Sequence, residues 1–388
     1  MQFKDFITLQ RGFDLPKTDM QDGPYPVVGS TSIIGSHDQF KVQPPGVVMG
    51  RSGSLGTIQF INKPFWPHNT SLWVRDFKGN DPRFVYYRLQ GFDFARFNAG
   101  AGVPTLNRNH LDSLEVQVPP LAVQRRIAGI LSAYDDLIEN NLRRIKVLEE
   151  MARAVYREWF VKFRFPDHEK VRMVDSPLGK IPKGWEVKKL AELVETQYGY
   201  TESTNAEPVG PKYLRGMDIN KASYIDWSEV PYCPITPEDQ PPYRLKKGDV
   251  VVIRMADPGK VGIVEQDVEA IFASYLIRVT PKDERLRPYF LFHLLDSAAY
   301  QSYISGASTG TTRKSASAGV ITEFQFLLPP RDLVAAFEER AISFRGLLTT
   351  LLQQNANLRR TRDLLLPKLI SGELGVSQLD ITVPAEIA

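Results

Sequence analysis

The most constraining feature of this sequence is that it repeats itself once, with a period of roughly 200 residues that is too long for a solenoid repeat. Each copy starts with a Gln-x-Gly motif. It continues with an apolar strand that ends in arginine, a glycine-rich turn and an aromatic helix opened by proline, and it closes with a polar loop. The corresponding segments are 10–13 and 197–200, 45–56 and 247–263, 81–87 and 287–292, and 100–109 and 306–317. The same order of parts, met twice, predicts two similar domains in tandem.

A Pro-Pro pair, at 119–120 and again at 329–330, opens a long segment in which apolar residues alternate four and three apart. These stripes run from Ile127 to Trp159 and from Phe337 to Leu369. One such stripe is as typical of an ordinary core-facing helix as of a coiled coil. Two stripes in the same phase, each closing a repeat, favour helices that pair with one another. Pro367 and Gly372 are expected to stop the second helix.

The polar residues within the stripes, Asn141 and Asn355, indicate the orientation of the helices. In a parallel pair each amide would be buried against hydrocarbon, at a cost of roughly 1–3 kcal/mol. In an antiparallel pair with full overlap, position 127 faces 369, so that 141 faces 355 and the two amides satisfy one another. We therefore predict an antiparallel pair whose register is fixed by Asn141 and Asn355. A helix over residues 121–160 would be about 60 Å long and would act as a spacer.

These observations predict an α+β fold with two similar domains in tandem, each followed by a long helix, and with the two helices paired as an antiparallel coiled coil. The predicted boundaries are 1–118 for the first domain, 119–165 for the first spacer helix, 166–182 for a linker, 183–328 for the second domain, 329–373 for the second spacer helix and 374–388 for a C-terminal tail.

The composition mainly excludes certain classes of protein. The net charge of +3 neither demands nor excludes nucleic acid, because DNA binding needs a local basic surface and not a basic total. The single cysteine, Cys233, excludes an internal disulfide and suits a reducing cytosol. The first residues lack the apolar run of a signal peptide, and no stretch approaches the ~18 apolar residues of a membrane span. We expect a cytoplasmic protein with no membrane contact.

The sequence lacks the usual motifs of catalysis. It has no GxxxxGK[S/T] loop for ATP, no Asn-Pro-Pro-Tyr/Phe motif and no glycine-rich strand-to-helix fingerprint of an amino-methyltransferase. Residues 166–170 superficially resemble a metal-dependent nuclease motif, but their acidic residues nearly touch in sequence and fit a charged linker better. The five histidines never cluster at metal-ligand spacing. A DNA methyltransferase or nuclease fragment and a purely structural coiled-coil adaptor are therefore the competing hypotheses to a binding module.

Motifs in the first copy resemble the target-recognition domain of type I restriction-modification specificity subunits. They are Tyr-Pro-Val-Val-Gly-Ser-Thr at 25–31, Ile-Gly at 34–35, Gly-Arg-Ser-Gly-Ser-Leu-Gly at 50–56, Phe-Trp-Pro-His-Asn-Thr at 65–70 and Val-Pro-Pro-Leu-Ala-Val-Gln-Arg-Arg-Ile at 118–127. The resemblance covers essentially the whole chain, and the last of these motifs, where a domain meets its helix, is quite specific. The second copy departs from it, because Val334 stands where glutamine is usual and residues 203–242 match least.

The resemblance implies a DNA-binding specificity subunit that is not itself an enzyme. Each target-recognition domain would read one half of a bipartite, asymmetric target in double-stranded DNA, and the helix pair would set the unspecified gap. Two methylation subunits and two restriction-translocation subunits would assemble on it. No cofactor is expected in this chain, because S-adenosylmethionine, ATP and Mg are expected in those partner subunits. A gap of one helical turn, about 34 Å, would place both domains on one face of the duplex.

Loop residues of the types that contact phosphates or base edges are the candidates for DNA binding. They are Arg51, Ser52, Ser54, Asn69, Thr70, Asn107, Arg108 and Asn109 in the first domain, and Arg254, Lys260, Ser308, Thr309, Thr311, Thr312, Arg313 and Lys314 in the second. Arg51 and Arg254 are equivalent in the repeat, which favours a phosphate or scaffold role over base reading; an ion pair inside each domain is the alternative. The loop 308–314 has no apolar residue to bury, so we interpret it as DNA-binding or as a solvated turn.

The end of the first helix is crowded with aromatic residues: Trp159, Phe160, Phe163 and Phe165. Two interpretations remain open at this point. These side chains pack under the second domain, or they form part of the interface with a methylation subunit, because aromatic residues often anchor interfaces.

Overall fold

A computed structural model of the chain describes residues 1–100, 102–310 and 314–376. These residues form two compact units, one of residues 1–140 with 355–376 and one of residues 141–354. Each unit contains an α+β domain and a part of each of two long helices. Most of the predicted C-terminal tail, residues 377–388, lies outside the described residues. No helix within the described ranges is long and apolar enough to cross a membrane.

The domain of the first unit is built on two small sheets. Its elements are α1 (Phe3–Phe6), β1 (Thr8–Arg11), β2 (Tyr25–Val28), β3 (Ile33–His37), β4 (Gly46–Gly50), β5 (Ile58–Ile61), β6 (Trp66–Pro67), β7 (Ser71–Asp76) and α2 (Pro82–Gln90), and the long helix α3 (Leu121–Tyr156) follows. The antiparallel sheet has the order β1-β7-β4-β5, and the second sheet has the order β3-β2-β6. Strand β4 is buried at every residue, because Val47 and Met49 face the main core while Val48 faces a second cluster.

The second unit starts within α3 and contains a domain of the same kind. After α3 come a π-helical turn (Arg157–Val161), then β8 (Met173–Ser176), β9 (Gly179–Pro182), β10 (Glu186–Lys189), α4 (Leu190–Leu193), β11 (Val194–Tyr198), β12 (Lys212–Leu214), β13 (Val250–Ile253), β14 (Val261–Ile263), β15 (Ala270–Phe272), β16 (Leu276–Pro281), α5 (Pro288–Asp296), α6 (Ala298–Ala307), α7 (Ala318–Thr322), β17 (Gln325–Leu328) and the long helix α8 (Arg331–Ser371). Its main sheet has the order β11-β16-β13-β14. The segment expected to be a linker, 166–182, therefore contains the hairpin β8-β9.

The two main sheets are equivalent strand by strand, which confirms the predicted duplication. The two domains also share individual hydrogen bonds. The N–H of Leu106 donates to the carbonyl of Arg51 at 2.8 Å, and the N–H of Ala316 donates to the carbonyl of Arg254 at 2.9 Å. The polar loop of each domain is thus fastened to the arginine that ends the apolar strand.

A close backbone approach explains why both copies carry the Gln-x-Gly motif. A Cβ atom on Gly12 would lie 2.1 Å from the carbonyl oxygen of His68, and one on Gly199 would lie 2.3 Å from that of Ala273. Contacts this short leave no space for any side chain at either position. The chain after β1 can pass this close to His68, and the chain after β11 this close to Ala273, only with glycine at these positions.

The long helices pair in opposite directions, as predicted. In the first unit, Ile127 and Leu131 of α3 are buried in one cluster with Leu369 of α8. In the second unit, Ile145 and Leu148 are buried with Leu351 and Leu348. The residue numbers rise along one helix as they fall along the other, with the heptad-like spacing of a coiled coil.

Both polar residues of the stripes are buried. Asn141 and Asn355 are 6% and 0% exposed, and the side-chain amide of Asn355 donates to the carbonyl of Ile138 at 3.5 Å. The role of Asn141 and Asn355 in fixing the register stays a prediction.

The expectation that Pro367 stops the second helix is wrong, because α8 continues through Pro367 to Ser371. An internal proline costs a helix roughly 3 kcal/mol. The buried side chain of Leu369, two residues further on, belongs to the core of the first unit and favours the helical continuation. The helix ends at Gly372, whose φ of +78° suits glycine and terminates helices in general.

A buried side chain attaches each long helix to its own domain. Gln124 of α3 accepts a hydrogen bond from the N–H of Asp81 at 3.0 Å and donates to Asn80 at 2.8 Å, at the start of α2. In the second domain Val334 takes the place of this glutamine and is fully buried. Glu338, one turn further along α8, instead accepts from the N–H groups that begin α5, and burial raises the pKa of its carboxyl. The attachment has moved by one helical turn.

A buried ion pair adds a second attachment in the second unit. Arg345 of α8 is 1% exposed at its side chain and binds both carboxylate oxygens of Glu265, each at 2.6 Å. The same guanidinium donates to the hydroxyl and the carbonyl of Ser223, both at 2.7 Å. The hydroxyl of Ser223 in turn donates to Glu149 of α3. The network joins both helices to loops of the domain.

Candidate nucleic-acid interface

The first-domain candidates converge around the end of β4. Arg51 donates from Nη1 to the carbonyl of Asn69 at 3.3 Å, and its backbone N–H donates to Thr70 at 3.0 Å. Ser52 bonds to Thr70 through its N–H at 3.1 Å and forms a β-bridge with Thr105, at the start of the polar loop. Loops that are far apart in sequence, around residues 51, 70 and 106, are therefore fastened side by side. Arg51 binds a carbonyl of its own domain, and not the carboxylate of the alternative interpretation.

A groove of about 750 Å³ opens beside this junction. We call it the arginine groove, after the four arginines that line it: Arg11, Arg51, Arg75 and Arg108. Gln10 and the candidate Asn107 also line it, and no acidic residue does so within the described chain. Arg108 is held by a 3.0 Å hydrogen bond to the carbonyl of Leu9, and Arg11 forms an exposed ion pair with Asp14 at 3.2 Å. The groove concentrates positive charge where loops and strand ends meet, as phosphate and base recognition requires.

Sequence reasoning found Arg51, Asn107 and Arg108 but missed Arg11 and Arg75. The signal for Arg75 was present in strand 71–76, in which Leu72 and Val74 are buried while Arg75 is exposed. In a regular strand this alternation predicts an exposed Arg75; in the structure the residue is exposed at a bulge, between the pairs Leu9–Val74 and Thr8–Asp76.

The other first-domain candidates lie outside the lining of this groove. Asn69 donates to the carboxylate of Asp14, and the hydroxyl of Thr70 lies 3.0 Å from Nδ1 of His68, so both side chains are engaged locally. Asn109 is exposed and lines a neighbouring depression of about 300 Å³. Ser54 is exposed in the turn after β4.

Arg254, the second-domain equivalent of Arg51, is more enclosed. Its guanidinium lies 5.1 Å from the centre of the Tyr198 ring, and Nη1 is 3.5 Å from the sulfur of Met255. Its Nε atom is buried and has no hydrogen-bond partner among the described residues. It forms no ion pair with a carboxylate in the described part of the chain. Lys260, after the turn that follows β13, is exposed.

The structure describes only the ends of the loop 308–314. The hydroxyl of Ser308 donates to the carbonyl of Ile304 at 2.6 Å, and Thr309 forms a β-bridge with Ser315. The carbonyl of Lys314 accepts from the N–H of Ala256 at 3.0 Å, so this end of the loop lies beside Arg254. The candidates Thr311, Thr312 and Arg313 lie outside the described residues.

The second domain has a different concavity of about 520 Å³ that the sequence did not reveal. Its lining is mostly apolar and includes Met217, Met255 and Tyr275. Arg215 lies in the same lining, but Asp218 binds its guanidinium at 2.8 Å. Part of this lining belongs to residues 203–242, the segment that departs most from the first copy.

The aromatic residues at the end of α3 pack inside the second unit, which confirms the packing interpretation. Trp159, Phe160 and Phe165 are buried in one cluster with Trp185 and Phe337, and Phe163 packs against it. The rings of Phe160 and Phe337 meet edge to face at 5.2 Å. Within the described ranges, no three His, Cys, Asp or Glu side chains are placed so that they could hold a metal ion.

A solved structure has the same fold of two similar sheet domains with paired antiparallel helices. The crystal structure of the type I restriction-modification system S subunit from M. genitalium shares this fold, with a TM-score of 0.60 over 95% of each chain at 16% identity. The chain belongs to the family of the type I restriction modification DNA specificity domain, whose sequence profile matches residues 1–150 and 182–332.

Two relatives of this chain come from Methanocaldococcus jannaschii. The type I restriction enzyme MjaVIII specificity subunit is 28% identical over 72% of this chain and 67% of its own length. The type I restriction enzyme MjaIX specificity subunit is 24% identical over 87% of this chain and 80% of its own length.

Proposed function

We propose that this protein is the specificity subunit of a type I restriction-modification complex. Each domain reads one half of a bipartite, asymmetric target in double-stranded DNA. The observation that supports this most directly is a duplicated scaffold with unlike recognition surfaces. The sheets and the fastening bonds at Arg51 and Arg254 are the same, whereas the arginine groove occurs in one domain and the apolar concavity in the other.

The paired helices set the unspecified gap between the half-targets. At 1.5 Å per residue, the 36 residues of α3 form a rod about 54 Å long. Its pairing with α8 gives the rod the stiffness that a fixed spacing requires. Lengthening both helices by whole turns widens the gap and leaves both half-targets unchanged.

The same helices carry the partner subunits. Val147 and Met151 of α3 lie one helical turn apart, and both are large apolar side chains that remain exposed, so this face of α3 offers apolar surface to a partner protein. We assign two methylation subunits and two restriction-translocation subunits to this scaffold. S-adenosylmethionine, ATP and Mg act in those subunits, and this chain supplies recognition without catalysis.

A domain exchange tests the proposal. Residues 1–118 are replaced by those of a relative, the chain is co-expressed with its methylation subunit, and methylated adenines are mapped in the host DNA. We expect one half of the target to change while the other half and the gap stay the same. Methylation or cleavage by the purified chain alone would support the enzyme hypothesis. Equal binding of the assembled complex to random DNA sequences would support the adaptor hypothesis.

A further inference from the structure

We propose that the arginine groove reads guanine in the first half-target, with Arg75 as the side chain that contacts the base. The inference rests on the proposed function, because it takes DNA as the ligand. It adds the identity of a reading residue and the class of base that this residue selects.

The four arginines of the groove differ in how far they are already engaged. Arg51 and Arg108 donate to carbonyls of their own domain at 3.3 and 3.0 Å, and Arg11 is paired with Asp14. The side chain of Arg75 is exposed and forms neither a hydrogen bond nor an ion pair with another described residue. Both arms of its guanidinium fork are therefore available to a ligand in the groove. A fully available fork is what bidentate recognition needs.

The second domain shows which positions vary while the scaffold stays fixed. Gln10 pairs with Trp73 in the first sheet, and Gln197 pairs with Arg278 in the second, so that Arg75 matches Thr280 when residues are counted along the strand. The first sheet has a register shift here, because Leu9 pairs with Val74 and Thr8 with Asp76, which leaves Arg75 without a cross-strand partner.

The other groove positions follow from the same alignment. Arg11 corresponds to Tyr198, and the fastening bonds at Leu106 and Ala316 make Arg108 correspond to Ala318. The hydroxyl of Tyr198 accepts from the N–H of Ala318 at 3.1 Å, and its ring lies against Arg254. In the second domain, Tyr198 therefore contacts both Ala318 and Arg254, whereas the equivalent positions of the first domain are the arginines of the groove.

This comparison separates shared roles from domain-specific ones. Arg51 has an arginine counterpart in Arg254, as expected of a residue that serves the scaffold or the phosphate backbone in both domains. Arg75 has no such counterpart, as expected of a residue that reads a sequence found in only one half-target. Among the bases, guanine presents two acceptors, O6 and N7, in the major groove, and arginine is their most common bidentate partner.

The test compares Arg75→Ala and Arg75→Lys in the full chain, assembled with its methylation subunits. Binding is measured by competition between the intact target and duplexes in which each base pair of either half is replaced in turn. We expect Arg75→Ala to lose roughly 10- to 100-fold discrimination at one guanine of the first half-target. Arg75→Lys should lose most of it too, because lysine lacks the fork. Preference in the second half should not change.

Two control variants accompany these. Lys63→Ala removes an exposed charge from the same domain, in the turn after β5, and Thr280→Ala alters the equivalent strand position of the second domain. Neither should alter the preference at that guanine. Thermal melting should show that Arg75→Ala folds normally, because its side chain is exposed.

Three results would overturn the inference: a first half-target without guanine, unchanged base preference in Arg75→Ala, or a weakening of equal size on every sequence, which indicates a phosphate contact. A wild-type complex that shows no sequence preference is a separate failure, since it refutes the proposed function itself.

Discussion

Replacing Glu265 with alanine leaves the guanidinium of Arg345 buried without its counter-ion. In the intact unit this guanidinium makes two bonds of 2.6 Å to the carboxylate and two of 2.7 Å to Ser223. The side chains of Arg345 and Glu265 are 1% and 6% exposed, so water does not replace what is lost. Removing one member of such a buried pair costs about 3–5 kcal/mol.

The second unit, residues 141–354, belongs to the size class in which 1 kcal/mol shifts Tm by about 2–4 °C. Glu265→Ala should therefore lower its melting temperature by roughly 6–20 °C, measured by calorimetry on the full chain. The matched control is Glu284→Ala. It removes the exposed carboxylate that pairs with Arg331, which lies on α8 like Arg345. The side chains of Arg331 and Glu284 are 63% and 76% exposed, so the loss in free energy of unfolding should stay below about 1 kcal/mol.

A double variant completes the test. Glu265→Leu with Arg345→Met removes both charges, and it should be more stable than either Glu265→Leu or Arg345→Met alone, because no unpaired charge remains. These two single variants and the double variant form the double-mutant cycle. Equal destabilisation by Glu265→Ala and Glu284→Ala, or strict additivity in the double-mutant cycle, would refute the reasoning.

Three further predictions concern buried groups. Burial lowers the pKa of His293 to about 3, so the unfolded chain binds more protons than the folded chain between about pH 3 and 6.5. The free energy of unfolding should therefore decrease as the pH is lowered through this range, by up to ~1.4 kcal/mol per pH unit. His293→Phe should flatten this slope in melts from pH 7 to 5, and an unchanged slope would contradict the assignment. Gly199→Ala should cost about 1–3 kcal/mol in urea unfolding, whereas Gly306→Ala, with open space around its Cβ, should not; equal effects would contradict the close approach. Gln124→Ala should destabilise the first unit by about 1–3 kcal/mol, because the buried N–H of Asp81 loses its acceptor. The amide hydrogen of Asp81 should then exchange with solvent faster than in the unaltered chain, and an unchanged exchange rate would argue against this role of Gln124.

The sequence predicted the duplicated domains and the antiparallel helices because both depend on patterns within short segments. Apolar β4 and β13, their terminal arginines and the glycine-rich turns are visible in sequence, and so are the helical stripes. The positions of Asn141 and Asn355 within those stripes favoured the antiparallel direction.

The arginine groove could be predicted only in part, because its lining depends on strand pairing. Arg11 and Arg75 come from β1 and β7, which are far apart in sequence and adjacent in the sheet. Likewise, the sequence showed that Val334 departs from the usual glutamine, but not that Glu338 takes over its hydrogen bonds. Such a substitution one turn away is visible only when the start of α5 is seen against α8.

The displaced attachment of helix to domain bears on how new specificities are assembled from existing parts. A recombinant chain cut just before Pro119 combines an incoming domain with the recipient's Gln124, whose partners are the backbone N–H of Asp81 and the side-chain oxygen of Asn80. A domain of the second kind needs an acid one turn further along the helix, as at Glu338. Gene segments that end before the helix therefore exchange between domains of the same kind, as residues 1–118 do between first domains, whereas an exchange between the two kinds of domain must include the first turns of the helix.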